Sequence, residues 1–283
     1  MRHRVLPGLL AVIAFAALAH PLAGQSDESR GGATWEVQGL SRSFCVQLLL
    51  APSAEALQSL PAGYRPLPAS RVGDLHLSLR DVIQSQPEFA SWSPSRLCFD
   101  AVDSLRTTQF TLTNRKGKRP YLFATWTVSA ADSAGVPHEV ALDLLASTSR
   151  LVRSARLAGQ GQEVHEVRLT VGVVPGEDED GIRRTDRRFE VKLGKTRLTW
   201  DGHPAGDSTV VQGTVERSWV ARAVRGEGVA TGRVSLKPAF SRAMAGSLKI
   251  DGKNDFAKAL KASPTRFAGP EYFGGSGTIT IGP

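Results

Sequence analysis

Phe189-Glu190-Val191-Lys192-Leu193-Gly194-Lys195-Thr196-Arg197-Leu198-Thr199-Trp200 sets two short β-forming runs on either side of Gly194-Lys195. A two-residue connection with Gly at its first position fits a tight hairpin. Similar signals recur along the chain. Thr34–Gln38 and Phe44–Leu50 are short and rich in β-formers. Asp74–Arg80 alternates strictly, placing Leu75, Leu77 and Leu79 on one face as a half-buried strand would, with His76 on the polar face. Thr107–Thr113 and Tyr121–Ser129 flank the polar turn Asn114–Lys118 and predict a second hairpin. His165–Val174 alternates again, Ser218–Val224 and Val229–Leu236 flank Arg225-Gly226-Glu227-Gly228, and Thr278–Ile281 makes a closing strand.

Helices are few. Ser53–Leu60 begins at a Ser fit to cap it, Asn254–Lys261 has an Asn cap, and Ser147–Leu157 ends before Gly159. Glu139–Leu145 fits either a strand or an extension of that third helix. The expected fold is therefore α+β and β-rich: a curled or closed antiparallel sheet, barrel-like, with two or three short helices. Closure is favoured because it removes exposed edges.

The 283 residues carry no evident repeat or interdomain linker. They read as a signal peptide (1–24), a flexible leader (25–33) and one β-rich domain (34–283). Arg2 and Arg4 form a basic head before the apolar run Val5–Ala19, which at 15 residues is short for a membrane anchor. Cleavage after Ala19 or Gly24 both fit, and the protein is expected to be secreted or periplasmic. Cys45 and Cys98 are the only cysteines. An oxidising compartment permits a disulfide between them, against two buried free thiols as the alternative. Without matched histidines they do not suggest zinc.

Net charge is +8, or +6 without Arg2 and Arg4. For an exported chain this points away from nucleic acid. It fits an anionic membrane surface, an acidic envelope protein, or solubility. The basic clusters Arg115–Arg119 and Arg183–Arg188 read as solvated loops.

Phe44–Leu50, then Pro52–Leu60, then Pro61-Ala62-Gly63-Tyr64-Arg65-Pro66-Leu67 runs strand, short helix, Leu-Pro-x-Gly step. This resembles the N-terminal part of acetoacetate decarboxylase-like proteins, and Phe267–Ile281, with Tyr272-Phe273-Gly274-Gly275, is similar to that family's ending. The resemblance implies a cone-shaped, largely antiparallel barrel around an apolar cavity. It also implies a Schiff-base lysine in a Pro-Lys-Lys-Leu-Ala motif, activated by its lysine neighbour. The counterpart here is Ser154-Ala155-Arg156-Leu157-Ala158, with Ala155 at the nucleophile position and Arg156 beside it. Arg does not deprotonate usefully, and the chain has no Lys-Lys pair. Imine chemistry is therefore not expected.

Other chemistry is sparse. His165 with Glu163, and His203 with Asp201 and Asp207, are the nearest approaches to a metal or acid/base set. Glu177–Asp180 lacks EF-hand spacing. No catalytic residue, metal or cofactor is assigned. The leading expectation is an exported, non-catalytic binding protein with an apolar pocket for a small lipophilic or carboxylate ligand. Arg150, Arg153 and Arg156 are the candidate anion-binding residues. The alternatives are an accessory subunit docking on an envelope membrane complex, and a hydrolase or lyase with an unrecognised site.

Overall fold

The computed structural model describes residues 32–113, 120–160, 164–177, 183–223 and 228–282. The expected signal peptide, most of the leader, the turn 114–118, Glu163, residues 178–180 and the turn 225–227 lie outside the described residues. In chain order the strands begin with β1 (Ala33–Leu50), β2 (Arg65–Pro66), β3 (Ser93–Arg106), β4 (Thr111–Thr113), β5 (Tyr121–Ala131) and β6 (Pro137–Ala146). They continue with β7 (Val164–Glu166), β8 (Arg168–Glu177), β9 (Arg183–Leu193), β10 (Thr196–Pro204), β11 (Thr209–Val210) and β12 (Val215–Arg222). The last are β13 (Val229–Lys237), β14 (Phe240–Arg242), β15 (Met244–Asp251), β16 (Phe267–Ala268), β17 (Glu271–Phe273) and β18 (Ser276–Gly282). Among the described residues the α-helices are α1 (Leu77–Ser85), α2 (Ser149–Leu157) and α3 (Asp255–Ala262).

Seven strands close into a ring, β1-β18-β13-β12-β6-β5-β3, with β3 returning to β1. The expected barrel-like, β-rich α+β fold is present. The ring is antiparallel except at one joint, where β12 meets β6 in parallel with Val220 opposite Val140. β1 runs 18 residues in a single strand, joining two runs that read as separate in sequence. Gly39 (φ 66°) and a register shift between Leu40 and Arg42 bend it, so that one strand pairs with β18 in its first half and with β3 along most of its length.

Alternation assigns the two faces of the ring. Outside it, Phe44, Val46 and Phe99 pack under a second sheet ordered β15-β10-β9-β8. Phe189 and Trp200 of that sheet meet Phe44 at ring distances of 5.5 and 5.8 Å. The β9–β10 hairpin forms as expected, with Thr196 opposite Leu193 and Gly194 at φ 56°. Inside one end of the ring, Trp35, Phe123 and Trp219 form an aromatic plug. Helix α2 closes that end, with Leu151 and Ala155 buried against the plug and Trp35 Nε1 donating to Ser154 Oγ (3.0 Å).

Several local expectations change. Residues 77–80 are helical, not extended: His76 Nδ1 accepts from Ser78 N at 3.3 Å and so caps α1. Leu79, Val82 and Ile83 then follow helical spacing toward Leu49 and Ala69, while Leu77 is exposed. β5 pairs with Ser95–Val102 of β3 rather than with residues 107–113, and β4 continues along the same edge of β3, opposite Ser104–Arg106, while β1 holds the other edge. The alternation across 165–174 breaks at Val167: β7 joins the ring sheet beside β6, and β8 enters the second sheet. Residues 55–59 form a 3-10 turn without a side-chain cap. Residues 137–146 are strand, which decides the ambiguity at Glu139–Leu145.

Candidate functional site

At the end opposite the plug, the lumen is polar. Cys45 and Cys98 sit directly opposite on β1 and β3 and are disulfide-bonded, as the sequence suggested. One step along the same face, Ser43 lies opposite Asp100. Asp100 is fully buried. Its Oδ1 accepts from Ser43 Oγ at 2.7 Å and from Arg217 Nη2 at 2.5 Å. Arg217 belongs to β12, which is not a neighbour of β3 in the ring, so this ion pair crosses the lumen. Arg217 Nη1 also donates to Cys45 Sγ at 3.3 Å. Two buried atoms here have no hydrogen-bond partner: Asp100 Oδ2, an acceptor, and Arg217 Nε, a donor. An unmet buried polar atom costs about 1–3 kcal/mol and marks a place where a ligand or water is due.

Nearer the rim, Arg96 Nη2 meets Glu139 Oε1 at 3.3 Å. Thr127 and Ser129 donate to the same carboxylate at 2.7 and 3.0 Å. Two cavities share the rim residues Arg96, His138 and Glu139. One, about 520 Å³, lies beneath α1 and reaches Gln47 and Ser129. The other, about 560 Å³, lies where β6 and β12 diverge and reaches Arg217 and Trp219. His138 Nε2 stands 3.1 Å from Asp132 Oδ2, and its ring packs edge-on to Tyr64. The backbone N–H of Val136, then the His138 ring beside it, hold the Asp132 carboxyl below the usual carboxylate range.

Arg150, Arg153 and Arg156 lie exposed on the outer side of α2 and line neither rim cavity. Arg156 donates to the Val164 carbonyl at 3.0 Å. Ala155, the expected counterpart of the family's reactive lysine, is fully buried. By strand alternation, no lysine among the described residues faces the lumen. Of the histidine clusters, His165 is brought to Asp143 (3.3 Å), whereas Asp201 pairs with Arg188 rather than completing a set with His203. No group of three metal-ligating side chains forms among the described residues. Asp100 and Arg217 went unseen in sequence because 117 positions separate them. The only available signal was an Asp at the inward position beside Cys98.

No protein-family model matches the chain, and no curated protein does. Among solved structures it is similar to "Enduracididine biosynthesis enzyme MppR complexed with pyruvate" at 13% identity over 96% of each chain, with a TM-score of 0.49. It is also similar to an acetoacetate decarboxylase-like enzyme from Sphingomonas wittichii RW1, at 10% identity over 90% of this chain and 92% of that one, with a TM-score of 0.41. The likeness is weak. The second of these structures carries the name of the family that the two ends of the sequence resemble.

Proposed function

We propose that the chain is an exported, non-catalytic binding protein that takes a small carboxylate at the polar end of its barrel. The observation that carries this reading is the Asp100–Arg217 pair, which leaves one buried donor and one buried acceptor unmet, with a rim cavity that reaches Arg217. Arg217 Nε suits a carboxylate oxygen, since charge-assisted bonds from guanidinium are the stronger kind. Asp100 Oδ2 suits a hydroxyl or amine next to that carboxylate. The pair therefore favours a hydroxy- or amino-carboxylate over a plain fatty acid. Aromatic residues fill the apolar end, so the ligand is short. With no lysine among the described residues facing the lumen, carbonyl substrates find no amine there with which to form an imine.

Calorimetric titration of the full mature chain with lactate and with propionate tests the reading. Lactate is expected to bind about tenfold or more tightly, since loss of one paired buried polar group costs about 1–3 kcal/mol. Arg217→Met is expected to abolish lactate binding. Equal binding of the two acids, or lactate binding that survives Arg217→Met, would overturn it. Export is tested separately: N-terminal sequencing of the envelope fraction should begin after Ala19 or Gly24.

A further inference from the structure

On the outer wall of the barrel, the turn 55–59, the 193–196 hairpin, β6 and the start of α3 enclose a groove of about 910 Å³. That volume is within the range of small-molecule sites, roughly 300–1,000 Å³. Its floor is apolar. Trp126 and Phe256 meet edge to face at 4.9 Å, with Leu142 beside them. The Trp126 indole N–H is satisfied behind the floor by Ser95 Oγ at 2.9 Å, and Trp126, Leu142 and Phe256 are themselves buried, so the groove meets only their carbon edges.

The charges at the edge are unevenly matched. Asp143 is engaged by His165 at 3.3 Å. Asp255 is engaged by Lys258 at 2.7 Å, and Glu55 adds to the field on that same lysine. Arg222 is spent on the carbonyls of Ser59 and Leu60 at 3.1 and 3.4 Å, which fixes the turn as a wall. Lys195 and Lys253 both line the groove, both are exposed, and neither has a carboxylate within ion-pair distance among the described residues. An apolar floor bordered by two ammonium groups outside any ion pair suits a flat apolar body whose anionic head is drawn to Lys195 and Lys253 and repelled by Glu55.

We infer that this groove is a second ligand site, distinct from the lumen, for a soluble aromatic or alicyclic anion. It shares no lining residue with the Asp100–Arg217 cluster, so the failure of either assignment leaves the other standing. The probe is 8-anilinonaphthalene-1-sulfonate, titrated against the full chain at low salt. Binding is followed by dye fluorescence and by the indole N–H resonance of Trp126, assigned through Trp126→Phe.

The dye should move that resonance and leave those of Trp35 and Trp219 in place. Lys195→Glu combined with Lys253→Glu should weaken binding about tenfold, while Lys237→Glu, exposed on β13, leaves it unchanged. Near-UV circular dichroism confirms that each variant keeps its tertiary packing. Unchanged affinity in the double reversal, or a shift at Trp35 or Trp219 instead, would overturn the inference. So would a chain that ignores the dye but binds phosphatidylglycerol vesicles through the same two lysines, since the groove would then belong to a lipid headgroup.

Discussion

Removing Arg217 alone should harm the protein more than removing Arg217 and Asp100 together. In Arg217→Met the Asp100 carboxylate stays fully buried and keeps only the Ser43 hydroxyl. Breaking a buried pair by deleting one partner costs about 3–5 kcal/mol, because a charge is left without compensation. Replacing both partners by apolar groups of similar volume is often neutral or stabilising. The double variant Asp100→Leu, Arg217→Met should therefore recover most of the loss. For a chain of this size each kcal/mol moves the melting temperature by roughly 2–4 °C, so the single variant should melt roughly 6–20 °C lower. Urea unfolding of wild type, both single variants and the double variant gives the coupling energy directly. A single-variant cost under about 1 kcal/mol, or a double variant that simply adds the two single losses, would refute a desolvated cross-lumen pair. The first result would mean that water reaches Asp100.

Further outcomes follow from other parts of the fold. Replacing both Cys45 and Cys98 by Ser opens a loop of sequence separation 53, and chain entropy predicts a loss of about 4 kcal/mol by denaturant titration. Gly232→Val drives a Cβ into the Trp219 ring; overpacking of this kind typically costs about 1–3 kcal/mol and should also alter the near-UV signal of the plug. Asn254→Ala removes the side chain that accepts from Ala257 N at 3.0 Å, and should cost about 1 kcal/mol of stability in thermal melts. Asp132 titrates lower in the folded chain than in the unfolded one, so its contribution is present above the ordinary carboxylate range and is lost as pH falls through the folded value. Carboxyl carbon shifts should place that midpoint below the usual range, and His138→Ala should raise it.

The sequence made the architecture legible where a local signal agreed with the tertiary contacts. The 189–200 hairpin and the pairing of residues 218–222 with 229–233 follow from turn chemistry and β-propensity alone. The alternation at residues 74–80 misled because Leu75, Leu77 and Leu79 satisfy a two-residue period as well as a partial helical one. A histidine cap, an unusual choice for that position, decides the outcome. Partner choice was harder still. Tyr121–Ser129 forms a strand as expected, yet its mate is the long β3 and not residues 107–113. The rim and lumen cluster stayed hidden for the same reason. Alternation tells which residues share a face of one strand, and says nothing about which strand will face it across a hollow.

The parallel joint between β6 and β12 has a mechanical meaning. Every other seam of the cylinder is laced by a run of paired residues, whereas here Val220 and Val140 form a single rivet. Thermal breathing will part the staves at this place first. The breach lies beside Arg217, so the wall is thinnest where the innermost charge stands.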